Sequence, residues 1–403
     1  MRMSMSIAAI VTAVAVLCIS GIPALAQGAP GWMRPDLGPP PTAEQVGQSW
    51  VEIGDRTYGA VPDELGPIGG GEGYARIVTG GDFHVSSLEQ LQEALAVATA
   101  GQVVYLDPAG DYDATALVYA EGFQIDIPAG VTVASNRGHE GSRGASIFSG
   151  HFGTLLIRAM GPGVRVTGLW LVGPDPKRHL DHHQRSFSAE AMARHKQTWP
   201  DAARPGHVYY YRFPNSACIA SGHDGLEVDN CEISGWTRAV SLPEGVEHHI
   251  HHCYIHHCQL NGLGYGISHG SGERSQSLIE QNLFDFNRHS IAGTGRPGNA
   301  YTARHNVELG VSLSHCFDMH GGGDRRDGTN IAGTWMEIYS NTFRAPARAI
   351  AIRGVPEERA DIYDNWFYQA EAGAEAIRPW PPTEANRLQM GANAYGLSEP
   401  AVE

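Results

Sequence analysis

The sequence predicts an all-β fold, a right-handed parallel β-helix with a short N-terminal capping helix. Three observations point there. Strand-like segments align on one column, which holds Leu169, Cys231, Cys253, Asn282, Asn306, Asn341 and Asn365. The steps along it are 62, 22, 29, 24, 35 and 24 residues, so the basic period lies in the twenties and the long steps are rungs with an insertion or an extra rung. Apolar residues alternate as in strands, and no long helical pattern separates the segments from SIFSG (146–150) back to VVYLDPAGDYD (103–113). Stacked rungs sit about 4.8 Å apart, so equivalent residues form ladders. Asparagines can pass amide hydrogen bonds from rung to rung, and an apolar or thiol residue can fill the same slot.

Taken in order, residues 1–26 read as a signal peptide: Arg2 is a basic start, Ile7 to Ile19 is apolar, and Ala24-Leu25-Ala26 is a small-residue cleavage pattern. The mature chain is therefore expected to be secreted or periplasmic. The apolar run is too short for a membrane span, and none is expected later in the chain. Residues 27–85 are rich in Pro and Gly and predict an extended strap. SSLEQLQEALAVATA follows, with a serine cap and Leu88, Leu91, Leu95 and Val97 at near-helical spacing, which suits a helix closing the first rung. The β-helix is expected over 86–385, with an insertion at 174–222 and a tail at 386–403. Within the insertion, SAEAMARHKQTW (188–199) predicts a short helix. HVYYYRFP (207–214) clusters aromatics that either stack on a ligand from a flap, Tyr210 among them, or pack on the flank of the stack.

Charge and cysteines narrow the function. The formal net charge of −15 and the lack of a long basic run argue against nucleic-acid binding. Local arginines still leave room for an acidic polysaccharide partner. Five cysteines follow residue 26, an odd number that argues against a disulfide framework.

A second set of strands carries the chemistry: RAVSLPEG (238–245), YGISHGSG (265–272), HSIAGTG (289–295), HCFDMHG (315–321) and RAIAIRG (348–354). Aligned on Val240, Ile267, Ile291, Phe317 and Ile350 as inward residues, they put Arg238, Tyr265, His289, His315 and Arg348 in one column. Ser268, Ala292, Asp318 and Ala351 turn outward, as do His320 and Arg353. Such a patch suits proton abstraction beside a carboxylate: a cation neutralises the carboxylate and a neutral imidazole takes the proton. His289 and His315 are the base and acid candidates, with Tyr265 as an alternative acid. Asp318 and His320 complete the site. Arg348 and Arg353 are the carboxylate partners, and Arg288, Arg296, Arg325 and Tyr210 are further substrate contacts.

The asparagine rungs, the IPAGVTVAS-type early strands and the cap helix resemble the pectate-lyase-like right-handed parallel β-helix superfamily over roughly residues 86–380. Asp318-Met319-His320 also resembles the Asp-x-His motif of mannuronan C5-epimerases, although Gly321 stands where that motif has an acid. The resemblance implies a polysaccharide lyase acting by β-elimination on a uronate-containing polysaccharide. A C5-epimerase shares its first half-reaction. A glycoside hydrolase would need a carboxylate beside Asp318, for which Glu308 and Asp285 are the candidates. A non-catalytic carbohydrate-binding surface is the non-enzyme alternative. The clustered aspartates of a typical pectate-lyase Ca²⁺ site are missing, Asp324 and Asp327 lying in an arginine-bearing loop, so the cofactor expectation stays open and no residue is assigned to a metal. EHHIHHCYIHHC (247–258) is expected to present exposed rung histidines around a buried Cys253.

Overall fold

The chain winds through three parallel sheets, and one complete rung shows how. Ser275–Glu280 lies in the first sheet, Leu283–Asp285 in the second and His289–Gly293 in the third. Each pairs in parallel with its equivalent one rung on, as in Ile279↔Ala303, Leu283↔Val307 and Ile291↔Phe317. The long strand Val103–Asp113 bends to serve both the first and second sheets. The structure, a computed structural model, describes residues 35–152, 155–270, 272–369, 376–379, 387–396 and 401–402. The expected signal peptide lies outside the described residues. Among those described, no helix is long and apolar enough to cross a membrane.

The fold is the parallel β-helix that the repeat predicts, and both long steps resolve in the same way. Trp170 pairs directly with Glu232, and Val307 with Thr342. Each is thus one rung carrying an insertion, with no extra rung. The stack also runs past residue 385: Leu388–Met390 and Ala394–Tyr395 pair with the rung before them, so the expected tail supplies strands.

Between the first and second sheets the chain turns in two residues. The first adopts left-handed backbone at Asn230, His252, Gln281, His305, Ser340 and Asp364, with φ between 49° and 56°. The second is the predicted column. Asn282, Asn306, Asn341 and Asn365 each donate their side-chain amide to the carboxamide oxygen of the next, at 3.0 Å, and the ladder ends on Asn393, which the sequence reading missed. The same oxygens accept the backbone amides of the preceding rung at 3.0 Å. Each side-chain amide also reaches a strand carbonyl, such as Ile250 or Ala303. All five asparagines are fully buried, and their hydrogen bonds offset the cost of placing amides in an apolar core. Phe343, Phe367 and Tyr395 stack in the second sheet at 5.1 and 5.2 Å.

The predicted cap helix spans Leu88–Val97, with Ser87 accepting from the Gln90 amide, and it buries Leu88, Leu91, Ala94 and Leu95 over the first rung. A second short helix, Thr115–Glu121, was not legible in the sequence. The strap runs back along the outside of the first corner. It opens with a hairpin, Trp50–Ile53 with Arg56–Gly59, held by Arg56–Asp364. It then passes His252 through Asp63 (3.0 Å), Asp229 through Tyr74 (2.8 Å) and Glu227 through Arg76 (2.6 Å). At Gly70, with φ +66°, an added Cβ would stand 2.3 Å from the His252 carbonyl, so only glycine allows this approach. One expectation is corrected: His248, His251, His252 and His256 are buried instead of exposed, the strap covering His251 and His252. Cys253 is buried as expected, and Cys218, Cys231, Cys258 and Cys316 are likewise free and buried.

Two tests follow from this packing. Asn341→Ala strips two donors of Asn306 of their acceptor, which should cost about 2–4 kcal/mol and lower Tm by several degrees; an unchanged melting curve would count against the ladder. Glu308 pairs in register with Phe284 and Phe343 inside the stack, and burial pushes its carboxyl up to about 8. The fold therefore favours its protonated form. That stability is complete below the ordinary carboxyl pKa and is lost as pH rises toward 8. Glu308→Gln should gain Tm over the wild type between pH 5 and 8.5, whereas parallel Tm–pH curves would contradict the assignment.

Candidate active site

The third sheet builds the site. Each of its middle strands is entered by a large polar residue and a small buried one, at or just before its first residue: Arg238-Ala239, Tyr265-Gly266, His289-Ser290, His315-Cys316 and Arg348-Ala349. The amides of Ser290 and Ile291 both donate to the Cys316 carbonyl (2.8 and 3.2 Å), the pattern of a bulge. The bulge releases His289 from strict alternation. Its ring stacks between Tyr265 at 5.8 Å and His315 at 5.5 Å, so the predicted column is a true stack.

Asp318 is the hub. It pairs in register with Ala292 and Ala351, whose small side chains leave room for longer neighbours to fold over it. It is fully buried as a result, although it lies on the outer face as expected. His289 Nε2 stands 3.3 Å from one carboxylate oxygen and His320 Nε2 3.0 Å from the same one, while His315 Nδ1 is 3.6 Å from the other. Arg353 grips both oxygens, at 2.9 and 2.5 Å, and reaches Asp324 at 3.0 Å. Burial alone would raise the Asp318 carboxyl, but the histidines facing it outweigh burial and hold it well below the usual range. Burial drives His289 well below the ordinary imidazole value, so the ring is neutral at pH 7. Its Nδ1 donates to the His315 carbonyl at 2.5 Å, which fixes the tautomer. Burial also raises the Tyr265 hydroxyl, which stays protonated.

His315 is presented differently. Its side chain is 18% exposed, and its Nε2 lies 3.4 Å from a guanidinium nitrogen of Arg348. A guanidinium can only donate, so this nitrogen carries the lone pair and Nδ1 carries the proton toward Asp318. The result is an imidazole oriented from behind by a carboxylate and beside a cation in front.

The insertion folds as three helices, Leu180–Phe187, Ala189–Thr198 and Pro205–Tyr210; the second is the predicted one. Tyr210 is buried, bonds the Asn261 carbonyl and stacks on His182, so it anchors the insertion and cannot serve as the expected sugar platform. Tyr211 is 56% exposed and lines an open cleft of about 950 Å³ with Arg204, His207 and the loop Gly323–Arg326. A smaller cavity of about 220 Å³ lies over the third sheet, between Arg238, Tyr265, Ser268 and His320.

The other predicted contacts differ in how far they are engaged within the chain. Arg353 is committed to Asp318 and Asp324. Arg325 bonds Asp327 and the carbonyls of Thr294 and Ile331, so it ties down its own loop. Arg288 lies over the Tyr265 ring at 5.7 Å. Arg296 is exposed in a turn whose carbonyl accepts from Asn299, and no side-chain contact brings it to Asp318. The sequence reading missed Arg204, His207 and the role of Asp324. No periodic signal marks the first two, because they sit in the insertion.

No protein-family model matches this sequence, and no curated protein matches it. Among solved structures the chain is similar to an alginate lyase from Paenibacillus sp. str. FPU-7, with 13% sequence identity and a TM-score of 0.41, over 77% of this chain and 97% of that one.

Arg353→Ala would leave the buried Asp318 carboxylate without its guanidinium. Breaking such a pair costs about 3–5 kcal/mol, which urea denaturation would detect as a lower midpoint; an unchanged midpoint would mean that the histidines alone balance the charge.

Proposed function

We propose that the chain is a polysaccharide lyase that cleaves a uronate-containing polysaccharide by β-elimination. The observation that carries this reading is His315, an imidazole backed by Asp318 with its outer nitrogen beside the Arg348 guanidinium. In a uronate the C5 proton is barely acidic while the carboxylate is ionised, so a cation must pair with the carboxylate as the base removes the proton. Arg348 fills the first role and His315 Nε2 the second. The C5–H electron pair forms the C4=C5 double bond, and the C4–O bond breaks. The proton held on His315 then returns to the leaving oxygen. One imidazole serves both ends when C5–H and C4–O lie on the same side of the ring.

Tyr265 lies two rungs from His315 with His289 between them. It is therefore better placed to contact a neighbouring sugar than to protonate the same glycosidic oxygen. His289 becomes a positioning residue, because it is buried and bonds the His315 carbonyl. The hydrolase alternative loses support from its carboxylate pair: Asp318 is covered and held by Arg353, and Glu308 is inside the core.

The test is release of the unsaturated sugar end, followed by ultraviolet absorbance, on a panel of uronate polysaccharides. His315→Ala should lower kcat by roughly a hundred- to ten-thousand-fold with the fold intact. Arg348→Ala should lose activity on the polyuronide with no gain on a neutral glycan. New reducing ends without absorbance would make the chain a hydrolase, and C5 inversion without cleavage an epimerase.

A further inference from the structure

We propose that His289 Nε2, Asp318 Oδ2 and His320 Nε2 bind a transition-metal dication of the zinc and cobalt class. The inference rests on the geometry of these three atoms and stands whether or not the chain is a lyase.

The three ligand atoms lie within 4.8 Å of one another. The side chains of His289 and Asp318 are 1% and 0% exposed, so water does not freely solvate them. His289 Nε2 and His320 Nε2 are both buried atoms that face Asp318 Oδ2, and neither is aligned well with it. Orphaned buried polar atoms are uncommon, and two that converge on one carboxylate oxygen call for a partner between them. The His289 tautomer sharpens the point. Its Nδ1 is taken up by the His315 carbonyl, so Nε2 is the ring nitrogen left to meet a cation. It faces the Asp318 oxygen at 3.3 Å.

The spacing fits such a cation. Zinc binds imidazole nitrogen and carboxylate oxygen at about 2.0–2.2 Å, so two ligands of a tetrahedral ion stand about 3.3 Å apart. The two nitrogens here stand 3.3 and 3.0 Å from Asp318 Oδ2. Two imidazoles and one carboxylate select a borderline-soft ion, whereas Ca²⁺ takes six or more oxygens. Arg353 does not block the site. It holds the carboxylate from Oδ1 and Oδ2, and a carboxylate offers about four lone-pair positions, so the guanidinium can orient the ligand from behind. His320 also lines the cavity beside Tyr265 and Ser268, which gives the remaining coordination positions access to a ligand.

The chain has a second cluster with similar composition, Glu227, His249 and His251, and it carries no such argument. Glu227 already accepts from Arg76 at 2.6 Å and faces His251 at 3.1 Å, and His249 meets Glu280 at 2.7 Å. It therefore serves as the internal control.

The experiment is titration of the chelator-stripped mature chain with Co²⁺, read by visible d–d absorption and calorimetry with no substrate present. One Co²⁺ should bind per chain, displaced by Zn²⁺ and not by excess Ca²⁺. His289→Gln and His320→Gln should each weaken binding at least tenfold, and His249→Ala should leave it unchanged. If His289→Gln fails to fold, the partly exposed His320→Gln decides. No Co²⁺ binding, binding lost only in His249→Ala, or displacement by Ca²⁺ would overturn the proposal. Binding is read apart from turnover, so a failed lyase assay leaves this result standing and the reverse also holds.

Discussion

The hydrogen-bonded turn between the first and second sheets governs the rest of the molecule. A two-residue corner requires a residue in left-handed backbone, a conformation that side chains other than glycine resist. Six described corners repeat it, with Asn230, His252, Gln281, His305, Ser340 and Asp364. In the last four, the asparagine that follows offsets this resistance by bonding both the strand and the next corner. Because each carboxamide engages its equivalent one rung away, a slip in register would break every bond in the ladder at once. Register in the third sheet depends on this constraint, since the same rungs carry Tyr265, His289 and His315 into line.

The site rests on a buried anion. Removing a carboxylate from water is costly unless charge and hydrogen bonds replace the solvent. Asp318 has Arg353 on two oxygens and three imidazoles around it, drawn from three successive rungs. These partners cannot be separated from the rung geometry. Ala292 and Ala351 above and below provide the space, and the bulge at Ser290 turns His289 toward the carboxylate. The same anion orients His315, whose other nitrogen faces outward beside Arg348.

The strap solves a different problem on the opposite corner. Polar side chains of the first sheet, including His251, His252, Asp229 and Glu227, would otherwise project from a long bare edge. Residues 50–76 cross these rungs in the reverse direction and pair with them one after another. His251 and His252 are therefore engaged in packing, while those at 289 and 315 line the candidate site. Composition could not separate these groups, because what distinguishes them is the segment lying over each one.

By itself the sequence determined the repeat, and with it the fold, the cap helix and the alignment of His289 with His315. Those features are local or periodic, and a parallel stack converts period directly into adjacency. It also marked Asp318 and His320 through alternation. Only the tertiary structure decided which polar groups are already engaged: Arg353 on Asp318, Arg325 at its own loop, Tyr210 anchoring the insertion to Asn261. It also decided that Glu308 faces the core and that His251 and His252 lie under the strap. The physical reason is common to all of these. A side chain's availability depends on long-range neighbours that no spacing encodes, whereas the ladder depends on one spacing repeated.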